Sequence, residues 1–183
     1  MVFSLIFLGL IVVIVIFAIS AYNRGVQLRN YVKEAFATMD VYLKKRWDLI
    51  PNLVETVKGY AGHEKEILEK ITQLRSSNYS TMSDAQKIET NSELTKFLTR
   101  FFAVAENYPD LKANQNFMQL SKELSEIEAE IANSRKYYNG TVRVLNTFLE
   151  VFPTNIIGSI FGIQKEKMFE ISANERQNVK VSF

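Results

Sequence analysis

The hydrophobic pattern of the chain changes once, near residue 22. Before that point residues 2–21 carry no charged side chain, and as a helix they would rise about 30 Å, enough to cross the hydrocarbon core of a bilayer. A cleaved signal peptide is the competing interpretation, but such a peptide has a basic N-terminal region and a shorter apolar core. The pattern therefore favours an uncleaved signal-anchor. No later apolar stretch approaches this length, so a single-pass protein is predicted.

After residue 22, apolar side chains recur three and four positions apart, which is the spacing of a helix with one buried face. Stripes of this kind predict four helices, over residues 22–49, 51–78, 84–106 and 111–151. The first stripe contains Leu28, Val32, Phe36, Met39, Leu43 and Ile50. The fourth stripe, the most regular, contains Phe117, Leu120, Leu124, Ile127, Ile131, Ser134, Tyr138, Leu145, Phe148 and Phe152.

The predicted fold is all-α, with an N-terminal transmembrane helix followed by an antiparallel helical bundle with long helices. Residues 1–21 are the transmembrane anchor, which should continue into the first helix because no Gly or Pro cluster separates the two. Residues 22–183 are the bundle domain. Its C-terminal part, residues 153–183, is expected to be an irregular tail that folds back onto the bundle or docks on another chain.

The predicted helices differ in length. The fourth would be about 60 Å long and the second nearer 40 Å. The overhang of the fourth helix could cover the membrane-proximal part of the first helix, or it could pack on a neighbouring copy.

Local signals place the helix ends. Ser83 followed by Gln86 is a capping-box pattern, which predicts the start of the third helix. Pro109 should close that helix because proline cannot donate a backbone hydrogen bond, and Asp110 could then cap the fourth helix. The sequence FPTN, from residue 152, should end the fourth helix.

The stretch YLKKRWDLIPNL, residues 42–53, combines charged and aromatic side chains with a proline. The ring of Pro51 would clash with the carbonyl of Trp47, so the helix is expected to kink or restart there, with Asp48 as the cap. Arg46 lies on the first apolar stripe, where its charge must reach water or an acid. One hypothesis is a cross-helix ion pair with Glu123, Glu126, Glu128 or Glu130 on the fourth helix. The alternative is that Arg46 snorkels past the edge of the bundle.

Charges beside the apolar segment predict its orientation. No Lys or Arg precedes the segment, whereas Arg24, Arg29 and Lys33 follow it. Positive flanks stay on the cytoplasmic side, so the body is expected in the cytoplasm, attached to the cell membrane. The net charge of +2 indicates no particular polyanion, and no nucleic-acid partner is expected.

The composition excludes several kinds of chemistry. The chain has no Cys and one His, so disulfides, zinc–thiolate sites and cysteine nucleophiles are excluded. That histidine, His63, is not part of an H-E-x-x-H motif, and a solvated helix surface is its simplest position. The serines lack a G-x-S-x-G context and the glycines form no phosphate-binding loop. No catalytic, cofactor-binding or metal-binding residue is predicted, and the chain is not expected to be an enzyme.

Five segments occur in an order that is typical of one family: YNRGVQLRN, EAFATMDVYLKKRWDLIPNLVETVKGYAGHEKE, ENYPDLKANQNFMQLSKELSEIE, SRKYYNGTVRVLNT and FPTNIIG. Together they resemble the LemA family of bacterial and archaeal single-pass membrane proteins over nearly the whole chain. The resemblance implies an N-terminal anchor and a helical domain, and it brings no catalytic residues. The candidates for structural or interaction roles within these segments are Arg46, Asp48, Pro51, Asn52, Tyr138, Asn139, Phe152 and Pro153.

The resemblance also implies a role in membrane organisation or in assisting a protease, because relatives include a magnetosome-associated protein and often accompany membrane proteases. The leading hypothesis is a membrane-anchored, self-associating scaffold or adaptor. Its expected partners are the lipid bilayer, a second copy, and a membrane protease or other membrane protein. The alternative is a receptor-like module that binds a peptide or lipid ligand. An enzyme that uses carboxylates or tyrosines is disfavoured because the E-x-x-H pairs of di-metal bundles are absent. No cofactor is expected.

Overall fold

The computed structural model describes residues 2–58 and 78–169, and all regular structure within these ranges is helical. The elements in chain order are α1 (Val2–Lys58), a 3₁₀-helix (Tyr79–Thr81), α2 (Asp84–Ala105), α3 (Pro109–Lys112), α4 (Gln115–Glu150) and α5 (Thr154–Ile160). The all-α prediction is confirmed. Residues 59–77, which include His63 and most of the predicted second helix, lie outside the described residues.

Helix α1 is the longest element, with 57 residues and a length of roughly 85 Å. The apolar segment and the first body helix form one continuous helix, as the absence of a Gly or Pro cluster predicted. The most apolar 18-residue window of α1 has a mean hydropathy of 3.3 and is not buried at all. By length and composition, α1 is a helix that could cross a membrane.

Of the two alternatives predicted at Pro51, a kink or a restart, the restart is wrong, because α1 continues through this residue to Lys58. Asp48 does not cap a helix; its carboxylate accepts from Lys44 Nζ at 2.6 Å, one turn earlier. Buried apolar side chains on both sides of the proline provide the physical reason, since their packing outweighs one missing backbone hydrogen bond. These side chains are Ile50, Leu53, Val54 and Val57.

The ends of α2 and α4 show which local signals decide a helix boundary. α2 begins at the predicted capping box, in which the Ser83 and Gln86 side chains each bond the other residue's backbone amide. α4 begins later than predicted, because Asn114 accepts from the Phe117 amide at 3.1 Å and starts the helix at Gln115. Asp110 is not a cap; it lies in the first turn of the separate short helix α3.

The chain divides into two compact units. Among the described residues, the first unit consists of residues 2–38 of α1 and residues 134–169. Gly25 approaches Phe148, and the rings of Phe36 and Tyr138 are 5.7 Å apart, so the two helices run antiparallel. The end of α4 therefore covers the part of α1 that follows the apolar segment, which is one of the two arrangements expected for its overhang.

The second unit contains, among the described residues, 39–58 and 78–133. Its core joins the end of α1, helix α2, helix α3 and the start of α4. The predicted stripes are buried here: Leu124 and Ile131 of α4 are nearly inaccessible to solvent, as are Met39 and Leu43 of α1. Arg46 lies on the stripe of α1 and is also fully buried.

The predicted irregular tail begins with regular structure, because helix α5 follows α4 after a short turn. α4 ends at Glu150, so Phe152 leaves the stripe and is exposed, which corrects its predicted core position. A turn with a cis Phe152–Pro153 peptide bond leads into α5. Gly162 has a φ of +64°, which allows the chain to reverse after α5. Residues 170–183 lie outside the described residues.

Candidate functional site

A buried polar centre surrounds Arg46 in the second unit. The guanidinium donates to the Thr95 hydroxyl at 3.0 Å, to the Asn91 carbonyl oxygen at 2.9 Å, to the Asn91 side-chain oxygen, and to a Glu128 carboxylate oxygen. Three helices supply these groups, because Arg46 lies on α1, Asn91 and Thr95 on α2, and Glu128 on α4. Arg46 therefore makes an ion pair across helices, as one of the two hypotheses expected, and Glu128 is its acidic partner.

The two charges of this centre differ in their environments. The Arg46 side chain is 0% exposed, whereas the Glu128 side chain is 50% exposed. Water solvates Glu128, so the protein itself must solvate the guanidinium. Neutral acceptors on α2 do this with the geometry of a planar fork, which a lysine could not reproduce. The centre thus joins α1 to α2 and α4 through hydrogen bonds of one side chain.

A second polar cluster lies one to two turns earlier on α1. Asp40 accepts from the Tyr79 hydroxyl and from Lys87 Nζ, each at 2.6 Å. Burial, followed by the hydrogen bond to Asp40, raises the pKa of Tyr79 well above its ordinary value. The Tyr79 ring also lies 5.8 Å from that of Trp47. This cluster ties the 3₁₀-helix and the start of α2 to α1.

A groove lies beside Glu128 in the same unit. Its volume is about 470 Å³, and it is lined by Thr95, Leu98, Thr99, Phe102, Ser121, Leu124, Ser125 and Glu128. The lining residues are two threonines, two serines and one glutamate beside Leu98, Phe102 and Leu124. Such a lining could bind a small polar ligand or an extended peptide.

In the first unit, two asparagines of α4 hold the segment that follows α5. Asn139 donates to the Phe169 carbonyl at 2.9 Å and accepts from the Phe169 amide at 2.7 Å. Asn146 makes the same pair of bonds with Glu166, at 2.9 and 3.0 Å. A side-chain amide presents a donor and an acceptor side by side, so each asparagine binds one residue's backbone as a neighbouring strand would.

The spacing of the two asparagines matches the segment they hold. Seven residues of an α-helix rise about 10 Å, and three residues of an extended chain span about 10 Å. Asn139 and Asn146 are seven apart and bind residues 169 and 166, which are three apart. The segment is therefore extended and runs antiparallel to α4. Tyr138 adds a hydrogen bond to the Lys167 carbonyl at 2.9 Å, and the Phe169 side chain is buried.

Removing these side chains should free the segment. Asn139→Ala should lose two hydrogen bonds, worth about 0.5–1.5 kcal/mol each, and should speed amide exchange at Phe169 while leaving α4 protected. Hydrogen exchange followed by mass spectrometry on the full chain would measure this. Asn133→Ala, at an exposed position on the same helix, is the control. Equal exchange at residues 163–169 in both variants would contradict the assigned role of Asn139.

The other candidates take less central positions. Pro51 and Asn52 lie on the exposed side of α1, where the Asn52 carbonyl accepts from the Thr56 hydroxyl at 2.9 Å. Phe152 and Pro153 form the turn between α4 and α5. The eight candidates therefore belong to separate places, four in each unit.

Comparison with known proteins gives the family. The LemA family model matches residues 35–183. The chain belongs to the LemA family. It is also similar to "Protein LemA" of Metamycoplasma hominis, with 28% identity over 161 residues, 87% of this chain and 74% of that protein. The matched LemA region begins inside α1 and contains both the Arg46 centre and the two asparagines, whereas the apolar segment precedes it.

Three residues that build these LemA-region sites were not predicted: Asn91, Thr95 and Asn146. Asn91 had a readable signal, because it lies three positions after Ile88 and three before Leu94 on the stripe of α2. A polar residue on an apolar stripe marks a buried partner, as it does for Arg46. Asn146 had a weaker signal, which is its spacing of seven residues from Asn139. This spacing can be interpreted only when the segment after α5 is known to run back along α4.

Proposed function

We propose that this LemA-family chain is a membrane-anchored, self-associating scaffold or adaptor with no catalytic role. The observation that carries the proposal is the continuity of α1, which joins an exposed apolar segment to the packed body without a break. An anchor of this kind would hold the first unit close to the bilayer, because that unit contains both the apolar segment and the residues that directly follow it. A membrane protease or another membrane protein is the proposed client.

The exposed apolar segment supports the anchor. Fifteen of residues 2–21 are Leu, Ile, Val or Phe. Each such residue favours insertion by about 0.3–0.6 kcal/mol at the centre of a span, so the segment contributes at most roughly 5–9 kcal/mol. The basic residues Arg24 and Arg29 that follow it support an orientation with the body in the cytoplasm.

Two arginines in the segment should prevent most of the insertion, whereas one should only weaken it. A central arginine costs about 2.5–3.5 kcal/mol, so Val13→Arg offsets part of the favourable sum and Val13→Arg/Ile14→Arg offsets most of it. Resistance to carbonate extraction would measure this. Val41→Arg is the matched control, because Val41 is an exposed valine on the same helix outside the segment. Full resistance of the double variant would show that residues 2–21 are not the anchor.

An exposed apolar groove in the first unit supports self-association. Its lining contains Arg24, Leu28, Tyr31, Lys136, Tyr137, Gly140, Thr141 and Val144. Tyr31, Tyr137 and Val144 are about half exposed, and a side chain added at Gly140 would meet no atom within 4 Å. Aromatic side chains around an open glycine are suited to receiving a helix of another chain.

A large side chain in the groove should block association without disturbing the fold of the chain. Gly140→Trp should block a neighbouring helix, because the ring would occupy the groove. Gly140→Ala leaves the groove open, and it should stabilise α4 by about 0.5–1 kcal/mol, the helix preference of Ala over Gly. The mass of the assembly in nanodiscs would compare the two variants. An unchanged assembly with Gly140→Trp would exclude this groove as the contact.

The hydroxyl-lined groove beside Glu128 favours a second function, a receptor-like module for a peptide ligand. A pull-down after crosslinking in membranes separates the two proposals. A scaffold should yield copies of this chain and membrane proteins, whereas a receptor should yield a ligand whose capture depends on Thr99 and Ser125.

A further inference from the structure

An exposed apolar surface surrounds α5 in the first unit. We call it the apolar tip; it consists of Val151, Phe152, Ile156, Ile160 and Phe161. Phe152 is 79% exposed and Ile160 is 69% exposed. The opposite side of α5 is packed, since Ile157 and Gly158 are buried and Gly158 lies against Leu149. One face therefore holds α5 to α4, and the other presents large apolar side chains outward.

The position of the apolar tip indicates what covers it. The ring of Phe161 lies 4.6 Å from the ring of Tyr22, which directly follows the apolar segment of α1. Ile163, just beyond the tip, contacts α1 at Gly25, where an added Cβ would lie 2.6 Å from the Ile163 side chain. The tip thus lies at the level where α1 would leave the hydrocarbon core. Tyrosine is enriched at this level of membrane proteins.

The charges around the apolar tip are compatible with contact with lipid. Residues 151–164 contain no charged side chain. The acid that precedes them, Glu150, is paired with Lys165 at 2.8 Å. An apolar, uncharged surface beside a membrane-crossing helix is suited to burial at the boundary between headgroups and acyl chains.

We propose that the apolar tip inserts into the interface of the bilayer that α1 crosses, as a second membrane contact of the same chain. The inference rests on the proposed anchor. With two contact points, the rotation of α1 about its own axis is fixed, so the first unit presents one defined side along the membrane. The extended segment held by Asn139 and Asn146 begins directly after the tip and therefore starts at the membrane surface.

Depth-dependent fluorescence quenching tests this on the full chain. The chain has no Cys, so single cysteines at Ile160, Val12 and Ala37 can each carry an environment-sensitive fluorophore. Ala37 is an exposed residue of the first unit, roughly 20 Å along α1 beyond Tyr22. The labelled proteins are reconstituted in phosphatidylcholine vesicles whose lipids are brominated either high or low on the acyl chain. Ile160→Cys should be quenched by the shallow bromines, Val12→Cys by the deep ones, and Ala37→Cys by neither. Phe152→Cys should reproduce the result at Ile160.

The outcomes distinguish the two proposals. Quenching at Val12 without quenching at Ile160 or Phe152 would overturn the second contact and leave the anchor intact. Loss of quenching at all labelled positions would overturn the anchor as well. A label at Ile160 that is shielded from aqueous iodide but not quenched by any lipid would assign the tip to a protein contact, and would also overturn the proposal.

Discussion

Replacing Arg46 with methionine should destabilise the second unit by about 1–3 kcal/mol, the cost of leaving buried acceptors without their donor. The guanidinium donates to both oxygens of Asn91, and the Asn91 side chain is buried. Arg46→Lys should fall between methionine and the parent, because an ammonium group cannot reproduce the fork. In a chain of this size the methionine variant should melt roughly 2–12 °C lower.

The partners of Arg46 should respond unequally. Glu128→Gln should cost only about 0–1 kcal/mol, because half of the carboxylate side chain is in water. Asn91→Leu should cost far more, because it leaves the charge buried with fewer acceptors. The double variant Arg46→Met/Asn91→Leu should recover much of the loss, since an apolar pair needs no hydrogen bonds.

Lys44→Met is the matched control for Arg46. Lys44 makes an exposed pair with Asp48 one turn along α1, and its loss should change stability by less than about 1 kcal/mol. Unfolding of the full chain in detergent would compare all variants. If Arg46→Met and the Lys44→Met control have the same melting temperature, the buried centre contributes nothing to stability and does not fix the helix register.

Leu124→Ala should cost about 2–5 kcal/mol, because it leaves a cavity in the core of the second unit. Leu124 is 3% exposed and belongs to the cluster that joins α1, α2 and α4, together with Leu53, Leu98 and Phe101. Met118→Ala on the same helix is the control, because Met118 is half exposed and its truncation should change stability by about 0.5 kcal/mol at most. Equal melting of the two variants would mean that Leu124 does not pack in the core.

The spacing of apolar residues predicted the helices well where the same residues are buried by tertiary packing. The stripe of α1 is buried as expected, and the stripe of α4 is buried or partly buried up to the end of that helix. Arg46, the one charge on the first stripe, pairs with an acid on the helix that was predicted to supply it. Local end signals were less reliable. The capping box at Ser83 starts α2, but Pro51 and Asp48 do not interrupt α1, because the apolar residues around them are packed into one core.

The sites were harder to predict than the helices because they depend on contacts between distant segments. Arg46 was noticeable through its own position, whereas Asn91 became a partner only when α2 was placed beside α1. Tyr138 and Asn139 were named from the family resemblance, and their role became clear only once the segment after Gly162 was seen to return along α4. Phe152 looked like a continuation of a core stripe, yet the helix ends two residues before it.

Counting copies in the membrane tests the central proposal most directly. The full chain would be extracted from membranes into native nanodiscs, without detergent, and the mass of each disc measured. A membrane-anchored, self-associating scaffold predicts more than one copy in most discs, with Gly140→Trp shifting the population to single copies and Gly140→Ala leaving it unchanged. A single copy per disc for the parent chain at its natural density would contradict the account.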